Sequence, residues 1–344
     1  MKPSDLFVFG YFGYVSNQLD GQTVKTRMIH RLLEENTGKK ISYYDTELLK
    51  KNKLSLMVSL FRIIRAKHII YLPAQNNLRN FFPILYFLSR IFNFKIHYFV
   101  VGGWLTQFVV ENKRIGRKLK NIAGIYVETR KMQEQLVKAS FFANVIWFPN
   151  FRFKNTITLQ KEPNSVKLKI VFLSRITKEK GIDLIFWFLE SLSEDQSENL
   201  QIDFYGQVKK EEKEYFYEKI KNTKSASYKG VIEPENVQNV LSGYDLLVFP
   251  TKYAGEGCPG IIIDAYFAGL PVVATDWKYN SEFIVEGQTG FLFNPGDKLK
   301  FKEIILKILM NKDILRRMKM GAKEFSNNYD SIHAWEIIKS SLNF

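Results

Sequence analysis

Short apolar runs recur along this chain, each followed by a longer stretch with a helical period, and the pattern is played through twice. In the N-terminal half LFVFG (6–10), HIIYLP (68–73), KIHYFVVG (95–102), GIYVE (124–128) and NVIWFP (144–149) read as strands. Between the first two, residues 21–38 place Val24, Met28 and Leu32 four apart and stop at Gly38, as an amphipathic helix with a glycine end should. The second half sets strands at 169–174, 200–206, 245–251, 271–276 and 290–293 among helical segments at 181–192, 209–222, 235–244 and 260–269. Helical segments at 297–311, 313–326 and 331–341 close the chain. Such alternation predicts βαβ units, parallel sheets and a doubly wound α/β class.

A length of 344 residues is too great for one ordinary core and predicts two domains. The segment 149–167, PNFRFKNTITLQKEPNSVK, has two prolines and no period and is the expected linker, dividing 1–155 from 156–330. A hydrophobic share of 46% against 25% charged residues sets disorder aside. Cys258 is the one cysteine, so no internal disulfide can form, and a cytoplasmic location is expected. The N-terminus lacks a signal-peptide pattern. The most apolar stretches are interrupted by Arg90, His97 and a glycine pair, short of the ~20 residues a membrane crossing needs.

The net charge of +15 is lopsided. Residues 1–155 carry 25 Lys+Arg against 9 Asp+Glu, or +16, and residues 156–344 carry 25 against 26, or −1. No acid occurs between Glu47 and Glu111, while Lys50, Lys51, Lys53, Arg62, Arg65, Lys67, Arg79, Arg90 and Lys95 alternate with aliphatic and aromatic residues. That mixture suits an anionic membrane surface, where each basic residue is worth about 1 kcal/mol. Nucleic acid is the rival partner, but no nucleic-acid module is legible, and none is expected to bind. A solvated basic face is the plain alternative.

Two segments could carry chemistry. Glu256-Gly257-Cys258-Pro259-Gly260-Ile261-Ile262-Ile263-Asp264 lies between a strand and a helix, at the carboxyl end where open α/β sheets bind ligands. Its glycines permit close approach, and the N–H groups of Ile261 and Ile262 are expected to meet an anion. Two carboxylates bracketing that anion could hold the hydroxyls of two sugars; otherwise they are surface acids. In the second segment, SRITKEKGIDLI (174–185), Arg175 and Lys180 follow a strand and Gly181 is expected to start a helix. Two cations there make a phosphate clamp, although taken alone a solvated turn is the default reading of such a pair.

Together these segments resemble the glycosyltransferase family 4 pattern, also called group 1, and the resemblance runs from KIVFLSRITKEKGIDLI through FYG, YKGVIEPENVQNVLSGYDLLVFPT and GEGCPGIIIDAYFAGLPVVATD to EGQTGFLF. It implies a GT-B fold of two Rossmann-like domains facing across a cleft, with the C-terminal helix (331–344) packing back on the N-terminal domain. It implies that Arg175 and Lys180 bind the nucleotide diphosphate, that Glu256 contacts the donor sugar and Asp264 the ribose, and that Gly230 and Val231 line a uracil pocket. Asp264 is shorter than the family's glutamate. Cys258 replaces an aromatic residue and reads as packing, and Pro259 removes one N–H. GYFGYVSNQLDGQTVKT looks like the family's first strand-loop-helix, which implies that Gly21 approaches the diphosphate, with Asp20 a possible cap. Where many members carry a histidine, this chain has Gly102-Gly103-Trp104, the acceptor-side candidates, and none of His30, His68, His97 and His333 clearly replaces it.

A departing nucleotide diphosphate concentrates negative charge, which Arg175, Lys180 and the helix start near Ile261 would meet. No DxD sequence or metal-ligand spacing occurs, so metal-independent transfer without a cofactor is expected. The resemblance implies retained anomeric configuration, a nucleotide-sugar donor, expected to be a UDP-sugar, and a lipid-linked saccharide acceptor in capsule, exopolysaccharide or lipopolysaccharide assembly. An epimerase on the same fold, or a basic membrane or nucleic-acid binding protein without catalysis, are the other readings.

Overall fold

The computed structural model describes residues 5–51, 55–73, 75–140, 142–155, 157 and 167–342. Lys53 and most of the expected linker, residues 156 and 158–166, lie outside the described residues. The chain forms two compact units, one running up to Phe151 and joined by the segment from Ser331, the other Arg152–Asp330.

The first unit contains β1 (Leu6–Gly10), α1 (Gly21–Thr37), β2 (Ser42–Asp45), α2 (Ser55–Arg65), β3 (His68–Leu72), α3 (Gln75–Asn80), α4 (Phe82–Phe92), β4 (Lys95–Phe99), α5 (Leu105–Glu111), α6 (Lys113–Leu119), β5 (Gly124–Val127), α7 (Arg130–Ser140) and β6 (Val145–Trp147). The second contains β7 (Leu168–Leu173), α8 (Ile182–Glu190), α9 (Glu194–Glu198), β8 (Leu200–Tyr205), α10 (Lys213–Asn222), β9 (Ala226–Tyr228), α11 (Val237–Leu241), β10 (Leu246–Phe249), α12 (Gly260–Phe267), β11 (Val272–Thr275), β12 (Gly290–Phe293), α13 (Lys298–Met310) and α14 (Lys312–Phe325). The last helix, α15 (Ser331–Leu342), belongs to the first unit and packs against α1.

Each unit holds one six-stranded sheet, in the order β2-β1-β3-β4-β5-β6 and β12-β11-β10-β7-β8-β9, and every strand pair is parallel. Parallel sheets are covered on both faces, and the central strands β1, β3 and β10 are buried throughout. The order reverses between β1 and β3 in the first sheet and between β7 and β10 in the second, where Ile170 pairs with Leu246. Those reversals put a crevice at the strands' carboxyl ends. The core of the second unit gathers Ile170, Phe172, Ile182, Phe186, Ile202, Phe204, Leu246 and Phe301, with Phe186 stacked on Phe204 at 5.2 Å.

Several sequence expectations are corrected. The edge strands β2 and β9, SYYD and ASY, escape a hydrophobic pattern because an edge needs no continuous apolar run. Gly181 precedes helix α8 rather than starting it, capping a 3-10 turn over Lys178–Lys180 at φ +86°. The described start of the expected linker is packed: Asn150 and Phe151 are buried, and Arg152 pairs with Asp330 in a short parallel bridge.

Candidate functional site

The second sheet's reversal brings the two chemical segments together. The turn after β7 abuts the end of β10 so closely that a Cβ at Gly181 would stand 2.3 Å from the Pro250 carbonyl oxygen, which with its positive φ makes this a glycine position. The Lys252 N–H donates to the Glu179 carbonyl at 2.7 Å, tying the loops to each other. Lys180 Nζ then donates to Glu256 Oε2 at 2.7 Å, and Thr251 Oγ1 donates to the same oxygen at 2.8 Å. Both charged side chains are about nine-tenths buried. Burial lowers the Lys180 pKa and the nearby Arg175 lowers it further, while the ion pair with Glu256 opposes both. The Arg175 guanidinium lies 5.1 Å and Lys180 Nζ 4.8 Å from the Tyr253 ring, whose backbone carbonyl accepts from Trp277 Nε1 at 2.8 Å. Arg175, Lys180 and Glu256 therefore form one cluster around Tyr253.

Helix α12 opens beside this cluster without a side-chain cap on its first N–H groups. The Ile262 N–H, expected to meet an anion, donates to the Pro259 carbonyl at 3.1 Å in a three-residue bond that tightens the first turn. Gly260 and Ile261 precede it. Arg152, which the sequence reading missed, lies against this start: a Cβ at Gly260 would be 2.0 Å from Arg152 Nη2. Its Nε donates to Asp264 Oδ1 at 2.7 Å. Asp264, expected to contact a ribose, thus has one carboxylate oxygen engaged by a cation. Gly257 and Cys258 are buried, and the Cys258 thiol is close enough to Tyr329 to add to the upward pKa shift that burial causes there.

Gly230 and Val231 reach the same end of the sheet through a relay. Gly206, at φ +128°, lies against the Ser174 carbonyl, which a Cβ would meet at 1.9 Å, and its N–H donates to the Gly230 carbonyl at 2.8 Å. Val231, which follows Gly230, is 60% exposed, so an apolar side chain stands uncovered there.

In the first unit Gly21 opens α1 and is exposed, with no atom within 4 Å of an added Cβ. Asp20 is a cap: it accepts from the Thr23 N–H at 2.9 Å, and Thr23 Oγ1 accepts from the Asp20 N–H at 3.0 Å. The loop after β1 is fastened by Asp45, whose two oxygens accept from the Phe12 and Tyr14 N–H groups, each at 3.1 Å. Gly102, at φ +89°, donates its N–H to Glu128 Oε2 at 3.0 Å, and Lys25 Nζ donates to Glu128 Oε1 at 2.6 Å and to the Val100 carbonyl at 3.3 Å. Gly103 and Trp104 follow, the indole N–H donating to the Val101 carbonyl at 2.8 Å. Lys25 and Glu128 were not anticipated, although an acid at the carboxyl end of a strand was a signal. His68 and His97 are buried in the sheet, Nδ1 to Nε2 at 2.9 Å, with His97 Nδ1 2.9 Å from Tyr126 Oη. His30 is buried with Nε2 2.8 Å from the Ile41 carbonyl oxygen, and His333 is exposed on α15.

Among the described residues no three His, Cys, Asp or Glu side chains gather as metal ligands, and no helix is long and apolar enough to cross a membrane.

A family model for glycosyl transferases group 1 matches residues 154–325, half of the chain, and the protein belongs to that family. Among curated relatives, the capsular polysaccharide biosynthesis glycosyltransferase CapM of Staphylococcus aureus is 29% identical over 212 residues, covering 58% of this chain and 53% of CapM. The 2-deoxystreptamine N-acetyl-D-glucosaminyltransferase of Niallia circulans is 23% identical over 266 residues, covering 73% of this chain and 66% of that protein. The chain thus spans about half to two thirds of these relatives. The crystal structure of Anabaena HepE in complex with UDP superposes with a TM-score of 0.76 at 15% identity, covering 98% of this chain and 99% of that one. The lipopolysaccharide outer core galactosyltransferase WaaB does so at 0.69 and 11% identity, covering 98% of each chain. The two parallel sheets and these neighbours define the GT-B fold.

Proposed function

We propose that this protein transfers a sugar from a nucleotide diphosphate sugar to a saccharide acceptor in the assembly of a surface polysaccharide. The observation that carries this reading is the Lys180–Glu256 pair, 2.7 Å apart and beside Arg175, at the reversal point of the second sheet. A cation pair next to a helix start suits a diphosphate leaving group, whose charge grows as the anomeric bond breaks. In this proposal Glu256, oriented by Thr251 and Lys180, accepts from a sugar hydroxyl. In this proposal no metal is needed, because Arg175 and Lys180 supply the positive charge, and the configuration at the anomeric carbon is retained.

The donor is proposed to be a UDP-sugar. Val231 offers an exposed apolar surface for a base next to Gly230, and UDP is bound in the HepE structure. The acceptor is proposed to be lipid-linked, with the protein held peripherally on the cytoplasmic face of a membrane by its basic first unit. The capsular role in the name of CapM is in keeping with that. Thermal-shift screening against UDP-, GDP- and ADP-sugars tests the donor, since a ligand at a hundred times its dissociation constant adds about 2.7 kcal/mol. Stabilisation by UDP-sugar alone, followed by sugar transfer to lipid extracts in the presence of a chelator, is the expected result. Stabilisation by none of the three would remove the proposal.

A further inference from the structure

Helix α4, FPILYFLSRIF, carries one charged residue, Arg90, and is otherwise apolar nearly all round. A helix of that composition is buried in a protein core or in lipid. Here it is buried on one side only, through Phe82 and Leu85, while Ile84, Phe87, Ile91 and Phe92 are exposed, Phe87 by 63%. Helix α2 packs beside it and adds Met57, Leu60 and Phe61 to the exposed set. Seven large apolar side chains on two neighbouring helices face outward, where a soluble surface ordinarily scatters them singly.

The charges on these two helices have one sign. Arg62, Arg65 and Arg90 are exposed on the same two helices, Arg65 stacking on Phe61 at 3.8 Å, and the sequence holds no acid between Glu47 and Glu111. Where α4 meets α6 a cavity of about 550 Å³ opens, lined by Pro83, Lys113, Arg114 and Lys118 together with one acid, Glu111. From these features we infer that the α2–α4 face is a docking surface for an anionic bilayer: Ile84, Phe87, Ile91, Met57 and Phe61 enter the acyl boundary while the arginines meet the headgroup phosphates. A second copy of the chain is a poorer occupant, because a twofold contact would set this basic ring against itself. The face would perform the membrane association proposed above, and it is independent of the sugar-transfer chemistry.

The test is co-sedimentation of the full-length protein with phosphatidylcholine vesicles, with and without phosphatidylglycerol, for wild type, Phe87→Ser/Ile91→Ser and Arg62→Gln/Arg65→Gln/Arg90→Gln. Wild type should bind the phosphatidylglycerol vesicles. The apolar variant should lose about tenfold or more in binding at every salt concentration, and the arginine variant should lose mainly the salt-sensitive part. Melting temperature and transfer to a water-soluble acceptor should be unchanged in both. Binding of the apolar variant at the wild-type level would remove this face while leaving membrane association standing. Failure of the wild type to bind any vesicle would remove both, whatever its transferase activity. A wild-type dimer in size-exclusion chromatography that Phe87→Ser abolishes would assign the face to a second copy and overturn the bilayer.

Discussion

Arg152 reaches 112 positions along the chain to bond Asp264, Nε to Oδ1 at 2.7 Å, with its guanidinium lying against Gly260 at the start of α12. A cation at the positive end of a helix is unfavourable unless an anion joins it, and Asp264 supplies part of that compensation. Gly260→Ala should therefore push a flexible guanidinium aside and leave the fold intact, raising the donor KM about tenfold. Arg152→Ala should raise it likewise and cost about 1.5–3 kcal/mol of stability, with Arg152→Lys restoring little because a point charge cannot reproduce the planar fork. Donor KM and melting temperature measured on the three variants check this, and an unchanged KM in Gly260→Ala would show that Arg152 has no part in donor binding.

Glu256→Gln and Lys180→Met should each lower turnover about 10²–10³-fold. Stability should respond differently. Removing Lys180 leaves a nearly buried carboxylate with only Thr251 in its place, whereas glutamine at 256 keeps a neutral acceptor for the amine. Lys180→Met should accordingly melt below Glu256→Gln, in paired melting and single-turnover measurements.

The Lys25–Glu128 pair is almost completely buried, at 1% and 2% exposure. Breaking it from one side, as in Lys25→Met, should cost about 3–5 kcal/mol, because Glu128 keeps its charge without its partner. Replacing both with apolar residues should recover part of that loss in chemical denaturation, while the Gly102 loop, deprived of its carboxylate acceptor, remains impaired in transfer.

Burial pushes the His97 pKa down to about 3, with His68 and Lys95 adding to the effect. The folded state holds this imidazole neutral, so its contribution to stability is complete above the ordinary value of about 6.5 and is lost as pH falls towards 3. Across that window His97 should account for at most about 1.4 kcal/mol of lost stability per pH unit. His97→Gln should flatten the acid limb of a stability–pH profile measured by denaturant melts between neutral pH and pH 4. An unaltered slope would place the acid sensitivity elsewhere.

Local chemistry made much of this molecule readable. The apolar runs of β1, β3, β7 and β10 announce strands buried on both faces, and Arg175, Lys180 and Glu256 stand out because they follow such strands. The edge strands β2 and β9 did not, since an edge can be short and polar. Arg152 was hidden for another reason: it sits in an aperiodic stretch, and nothing local distinguishes a solvent-facing arginine from one folded against a helix 112 positions away.

From the sequence alone follow the α/β class, the division into two units, the basic first half and the position of Arg175, Lys180 and Glu256 in loops after strands, because these depend on period, composition and strand order along the chain. Tertiary structure alone decided that Lys180 is paired with Glu256, that Arg152 occupies Asp264, that Glu128 holds the Gly102 loop, and that α2 and α4 turn apolar faces outward. Those pairings join residues that are remote in the chain. Only strand order and helix packing determine which distant charge a buried carboxylate meets and which side of an apolar helix is left to the outside.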